Sequence, residues 1–538
     1  MPKPDNNPYL EEVDGRLFPT RAGEKYLAQR VTSTSGQVYA FTSEADPVVV
    51  AAMMARLSRR AGDMRLIYLD EFAVDPDEAG ELINRVVTQF GDDSVQQLVP
   101  VQLAVEGASN LLTKLLEWGR IGAAYLEQST RYIMFDQKDE AGRYNYYLPN
   151  YLPADLLEGY DRDMTRIFDH YSEVVRAIDA HLRETVPRPD KESDPGGWSG
   201  WPAAIRAQAC DAARPMLPVA TRSTVGLMLN AQAAEGLIMR LLANDLPEAQ
   251  AIGQQILEQT RKVIPAFLER TDRPDRGGLA VDYLRETRER MQELASQFIS
   301  QPPGWDAKPV IMTDYWPKDE LDLVPEMLFD LCGLTITGID WQLPDNSEGT
   351  REEIFRAYMG ERLNRRHRPG RALENAHYSF ELVGDYGTFR DLQRHRMVDD
   401  WRWQSLHPRF GYEVPALVSE AGCDDLYNEA FAISADLYTL LEGAGYPNEA
   451  QYATLLGHRM RYRFTANLRE LFHMLELRTG PQGHPGYRKL CLEMYHLLEG
   501  VHPLAAAEMK FVNQADNLDE LTRLASERAT ANKLSQMS

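Results

Sequence analysis

Apolar residues spaced three and four apart are the clearest signal along the chain. In Asn110–Trp118, Leu111, Leu115 and Trp118 mark one face of a helix. In Asn467–Arg478 (NLRELFHMLELR), Leu468, Leu471, Phe472 and Leu475 do the same. Asn467 and Arg478 are close to three turns apart and point the same way, at the edge of that stripe. Helices are also predicted over Pro47–Arg60, Phe72–Thr88, Ala249–Ile264, Val281–Ile299, Thr350–Arg365, Leu426–Glu442 and Tyr487–Gly500, with a shorter one at Pro325–Cys332. Asp93 or Ser94 would cap a helix running to Val105 and kinked at Pro100, and Ala372–Val383 reads as a helix carrying Glu374. Val310–Met312 reads as a strand. Leu148–Gly200, with its PRPDKESDPGGWSG, has the proline, glycine and charge density of an exposed loop.

Length and charge narrow the class. At 538 residues the chain exceeds one ordinary hydrophobic core, so two or more domains are expected. An excess of 81 acidic over 58 basic residues argues against a general nucleic-acid binder and leaves room for a local basic pocket. Cys210, Cys332, Cys423 and Cys491 are scattered without a C-x-x-C pair, as expected of reduced thiols in a cytoplasmic protein, and no metal site is predicted. The polar start lacks a signal peptide's apolar core, and no run is long enough to span a membrane.

The densest basic cluster is Asp391–Tyr412, DLQRHRMVDDWRWQSLHPRFGY, centred on Arg394-His395-Arg396. Earlier, Tyr125–Tyr132 reads YLEQSTRY. Together these resemble the two halves of the signature of the flavin-dependent thymidylate synthases (ThyX), R-H-R-x-x-S-x-N-E-x-S-x-R-Y. The second half is carried by Glu127, Ser129, Arg131 and Tyr132. Ala213–Pro218 (ARPMLP) resembles that family's A-R-x-x-L-P, with Asn230 sixteen residues beyond Arg214. The Asn467–Arg478 helix resembles its N-x-R-x-L-x-x-F/M-x-x-x-R, and Gln451 lies sixteen residues before Asn467. The matches alternate along the chain, so the sequence reads as a divergent tandem duplication.

The resemblance implies an α+β fold of two tandem ThyX-like domains, each a small, mostly antiparallel sheet flanked by long helices. The expected bounds are a 1–32 arm, domain 1 at 33–271 with a loop insertion at about 148–205, a 272–307 linker with a charged helix, domain 2 at 308–515, and a 516–538 tail. It also implies reductive methylation of deoxyuridine monophosphate (dUMP) with FAD, NADPH and methylenetetrahydrofolate. Glu127, Ser129, Arg131 and Arg214 would bind the nucleotide, and Arg478 would hold and polarise its ring as the catalytic residue. Arg394, His395, Arg396, Glu374 and Asn467 would bind the cofactor. The losses are complementary, so the halves are expected to share a composite site, in a homodimer mimicking the family's homotetramer. Asp92, Gln97 and Leu98 stand where the family has histidine, glutamate and histidine, and Asp399 and Trp401 where it has serine and asparagine. These departures leave open transfer to another pyrimidine, or a non-catalytic relic that binds flavin or nucleotide. No G-x-G-x-x-G, Walker A, H-E-x-x-H or G-x-S-x-G motif competes.

Overall fold

Two stretches of the chain share an alternating strand–helix–strand–helix–strand–helix order, with extra elements in each. The first comprises β1 (Pro100–Ser109), α1 (Asn110–Leu116), β2 (Ala123–Glu127), the long α2 (Ala154–Thr185), α3 (Pro195–Ala213), β3 (Arg222–Asn230) and α4 (Ala231–Leu242). A mostly exposed helix, α5 (Gly277–Phe298), follows. The second comprises β4 (Val310–Trp316), β5 (His377–Asp385), α6 (Tyr386–Leu392), β6 (Arg402–Trp403), α7 (Asp424–Gly443), β7 (Arg459–Asn467), α8 (Leu468–Arg478) and α9 (Pro485–Val501). The computed structural model describes residues 7–57, 60, 62–75, 77–89, 93–119, 121–300, 308–343 and 348–515. Asp92, Arg120 and the expected 516–538 tail lie outside them.

The repeat shows in its sheets and caps. One sheet has the order β1–β3–β2 and the other β4–β5–β7–β6, with the second antiparallel throughout. Each copy turns twice from strand into helix at a capping side chain, which accepts one of the helix's orphan N–H groups. Ser109 and Asp385 accept from the nitrogens of Leu112 and Thr388, and Asn230 and Asn467 from those of Ala233 and Glu470.

By its contacts the chain forms two units, one of Met1–Glu106, Gly119–Glu127 and Thr224–Gln301, the other of Gly107–Trp118, Gln128–Ser223 and Pro302–Ser538. In the first, Met53, Leu69, Phe72, Ile83, Leu237 and Phe267 are buried. In the second, α2 buries Tyr160, Met164, Ile167, Phe168, Tyr171, Val174, Val175, Ile178 and Leu182, packing against α3 and α7. Within this unit the segments leading into β3 and β7 also meet. Pro218 pairs antiparallel with Leu455, with Val219 N donating to Thr454 O at 2.8 Å and Leu456 N to Leu217 O at 2.8 Å. Pro218 stands as far ahead of Asn230 as Leu455 does ahead of Asn467, so equivalent residues of the two copies face each other.

Of the places where the structure differs from the sequence reading, three bear on the repeat. The expected 148–205 loop is mostly helix, because the α2 stripe repeats every three or four residues and only 186–194 separates it from α3. The expected helix to Val105 is a 3₁₀ turn at Asp93–Leu98 followed by β1. Pro100 opens that strand, where a missing N–H is tolerated, and Val101 and Val105 are buried on it. The expected helix at Ala372–Val383 is a 3₁₀ turn, Arg371–Asn375, followed by β5, in which Tyr378, Phe380 and Leu382 alternate inward.

The seam between the copies is tight at Gly457, whose nitrogen donates to Pro215 O at 2.8 Å. A Cβ there would lie 2.6 Å from Pro215 Cβ and 2.8 Å from Phe431 Cζ. Gly457→Ala is therefore expected to cost about 1–3 kcal/mol, read as a lower Tm. An unchanged Tm would contradict this packing.

Candidate functional site

The second unit gathers its charges around α6. All seven residues of this helix are buried, Arg390 and Asp391 included. Arg214, on the 3₁₀ turn after α3 and only 3% exposed, donates from Nη1 to Asp391 Oδ2 at 3.2 Å. Burial alone would raise the Asp391 carboxyl, but Arg214, Arg394, Arg131 and Arg478 outweigh it and hold the group well below the usual carboxylate range. Four guanidiniums from four separate segments thus act on one carboxylate, Arg214 by direct contact. Arg131 makes a two-pronged pair with Asp211, at 2.7 and 2.6 Å.

Arg478, the last residue of α8, donates from Nε to His395 Nε2 at 2.9 Å. His395 Nδ1 in turn lies 2.7 Å from Glu470 Oε1. Burial, reinforced by Arg478 and opposed by Glu470, lowers the imidazole to about 4. Burial would raise Glu470, but hydrogen bonds from His395 and His473 prevail and lower it to about 2. His395, Glu470 and His473 each offer a ligand atom, all within 4.8 Å of one another. Arg478 sets a fixed positive charge beside them, so the group reads as a hydrogen-bonded cluster.

Beside these charges lies a cavity of about 750 Å³, lined in part by Arg131, Asp211, Asp385, Arg459, His484 and Arg488. Burial pushes Asp385 up to about 6 against the pull of Arg214, while its side chain caps α6. Burial, with Arg214 nearby, lowers His484 to about 3. Arg214 Nη2 is buried and has no hydrogen-bond partner among the described residues.

Of the residues singled out in the sequence, Arg131, Arg214, Arg394, His395 and Arg478 come together. Ser129 is half-buried beside them in the chain, its Oγ accepting from Arg131 N at 3.2 Å. Arg394 and Arg396 are exposed on either side of buried His395. Glu127 is buried at the end of β2, in the first unit. Glu374 sits on a 3₁₀ turn and pairs with Arg371 and Arg469 at 3.0 Å each. The Asn467 side chain caps α8. Sequence reasoning missed Asp211, Asp391 and Glu470. The first two precede Arg214 and Arg394 by three positions, a D-x-x-R spacing that was the available signal.

Residues 37–266 and 335–504 both match the family model of the thymidylate synthase complementing proteins (Thy1). The chain belongs to this family. Among relatives of this Thy1 protein, the UPF0159 protein of Chlamydia muridarum is 30% identical over 522 residues, covering 93% of this chain and 96% of its own. The UPF0159 protein Ta1429 of Thermoplasma acidophilum is 28% identical over 485 residues, covering 86% and 95%. Two solved structures are also similar. The UMP/dUMP methylase PolB of Streptomyces cacaoi, bound with 5-Br dUMP, is 18% identical over 37% of this chain and 94% of its own, with a TM-score of 0.30. The flavin-dependent thymidylate synthase ThyX of Helicobacter pylori, complexed with FAD and dUMP, is 20% identical over 36% and 95%, with a TM-score of 0.27. Two matches to one model show the Thy1 module in tandem. Membership ties the chain, at the level of the family, to flavin-dependent methylation of dUMP. No helix among the described residues is long and apolar enough to cross a membrane.

The buried histidines make stability depend on pH. His395 is lowered to about 4 and, by burial first, His458 to about 3, both from 6.5. Below pH 6.5 the unfolded chain therefore binds protons that the folded chain refuses, and stability falls with pH through that window. His458 alone should remove on the order of 3 kcal/mol by pH 4. Denaturant unfolding between pH 7 and pH 4 measures this, with a shallower slope expected for His458→Gln. Asp385, raised to about 6, acts in the opposite direction, so the comparison decides: an unchanged slope in His458→Gln would refute a neutral buried His458.

Proposed function

We propose that the second unit carries out reductive methylation of dUMP, with methylenetetrahydrofolate as carbon donor, NADPH as reductant and FAD as cofactor, at a site to which both copies contribute. The observation that carries this reading is the buried hydrogen bond from Arg214, of the first copy, to Asp391, of the second, on a carboxylate that Arg131, Arg394 and Arg478 also act on. A guanidinium fork pairs well with phosphate oxygens, and the unpartnered Nη2 of Arg214 is a buried donor suited to one. Arg131 and Arg214 would take the nucleotide phosphate, Ser129 would add a hydroxyl, and Arg478 would hold and polarise the pyrimidine ring.

The exposed Arg394 and Arg396 suit the pyrophosphate of FAD. Bound flavin supplies the reducing electrons for the transferred one-carbon unit. Glu374 and Asn467, expected at the cofactor, would serve it indirectly through their ion pairs and helix cap. The cavity falls within the usual range for small-molecule sites. In this reading two chains form a cytoplasmic homodimer equivalent to the family's tetramer. Asp211 and Asp391, each taking up a guanidinium that a phosphate would otherwise use, favour a second reading, methyl or methylene transfer to another pyrimidine.

The purified protein is expected to show the visible absorbance of bound flavin and to release tritium from C5-labelled dUMP. Arg131→Ala and Arg478→Ala should each weaken dUMP binding about tenfold or more. If neither does, the shared-site reading fails. Flavin binding without tritium release from dUMP, but with release from another labelled pyrimidine, would favour the second reading.

A further inference from the structure

Glu470 has no part in the reading above, yet it ends a directed chain of hydrogen bonds. It lies in the first turn of α8, is 5% exposed, and its nitrogen donates to the capping Asn467 Oδ1 at 2.9 Å. Its Oε1 meets His395 Nδ1 at 2.7 Å, and His395 Nε2 meets Arg478 Nε at 2.9 Å. An arginine keeps its protons, so Arg478 Nε must donate. Nε2 must then hold the lone pair, and the imidazole proton must sit on Nδ1, where it needs an acceptor. A carboxylate is acceptor-only and meets that need.

Other contacts hold the chain in place. Trp401 Nε1 donates to the His395 carbonyl at 3.1 Å, so the backbone carrying the ring is fixed. The Arg478 guanidinium carbon lies 5.4 Å from the centre of the Tyr487 ring. With Nε committed to His395, the plane of the guanidinium is set and its terminal amino groups are aimed. Both imidazole nitrogens are engaged, so His395 is an orienting group here.

We propose that Glu470 is the positioning residue for Arg478, fixing through the His395 tautomer the guanidinium plane that a pyrimidine ring would meet. The ring as ligand rests on the proposed function; the hydrogen-bond chain does not.

The test uses the full chain with histidine nitrogens labelled. Nuclear magnetic resonance should show His395 protonated at Nδ1 in the ligand-free protein and in Glu470→Gln, whose amide oxygen still accepts. Glu470→Leu leaves that Nδ1–H buried without its acceptor, a cost that offsets the Arg478 bond, so the Nδ1 preference should be lost there. Calorimetry with dUMP should show about tenfold weaker binding for Glu470→Leu, with most of the affinity kept in Glu470→Gln. In an Arg478→Ala background Glu470→Leu should have no further effect, whereas a merely structural role would add to it. If Glu470→Leu does not fold, His395→Phe in the same two backgrounds makes the comparison. Full additivity, or an Nδ1 proton that persists in Glu470→Leu, would overturn the proposal. If the wild-type chain does not bind dUMP, the functional reading fails, and the tautomer measurement, which needs no ligand, still decides the hydrogen-bond chain.

Discussion

A carboxylate as deeply buried as Asp391 stays ionised only if positive charge is held against it, because desolvation otherwise favours the proton. Four arginines supply that charge, and they come from distant parts of the chain. The placement of α6, the turn after α3, the loop after β2 and the end of α8 are therefore tied together by one electrostatic requirement. Removing a single arginine would disturb the balance for the others, since the charges share a low-dielectric environment. The same economy recurs nearby, where Arg362 and Glu476 pair at 2.6 Å with almost no exposure.

The two copies have solved this requirement differently. Counted from the strand-end caps Ser109 and Asp385, Leu115 stands where the second copy has Asp391, and Lys114 where it has Arg390. Lys114 is buried and pairs with Glu117, three residues on, at 2.6 Å. The second copy leaves its acid to be met from outside. Divergence has thus given equivalent helix positions of the two copies different charges and different partners.

Much of this was legible from residue spacing, for identifiable reasons. The α8 helix could be read directly, because an apolar stripe is a local property, whereas the cap that Asn467 supplies was not read. So could α7, predicted at Leu426–Glu442 and observed at Asp424–Gly443. Strands β1 and β5 were hidden because alternation is short-range and easily taken for a helical period when alanine, glycine and proline intervene. The α2 helix is masked in the sequence by the charged, proline-rich 186–194 segment that follows it. At the site, the arginines stood out through the resemblance to a family. Their acidic partners did not, because an aspartate's role here is defined by what surrounds it in space.

The pairing of Pro218 with Leu455 brings equivalent positions of one polypeptide face to face. Such a contact between separate subunits would loosen on dilution, whereas a tether keeps the local concentration of each half high whatever the protein level. It also removes a symmetry constraint. A substitution in an ordinary homodimer appears on both sides of the axis at once, but here either side can change alone. Fusion thereby makes asymmetric specialisation accessible by single substitutions.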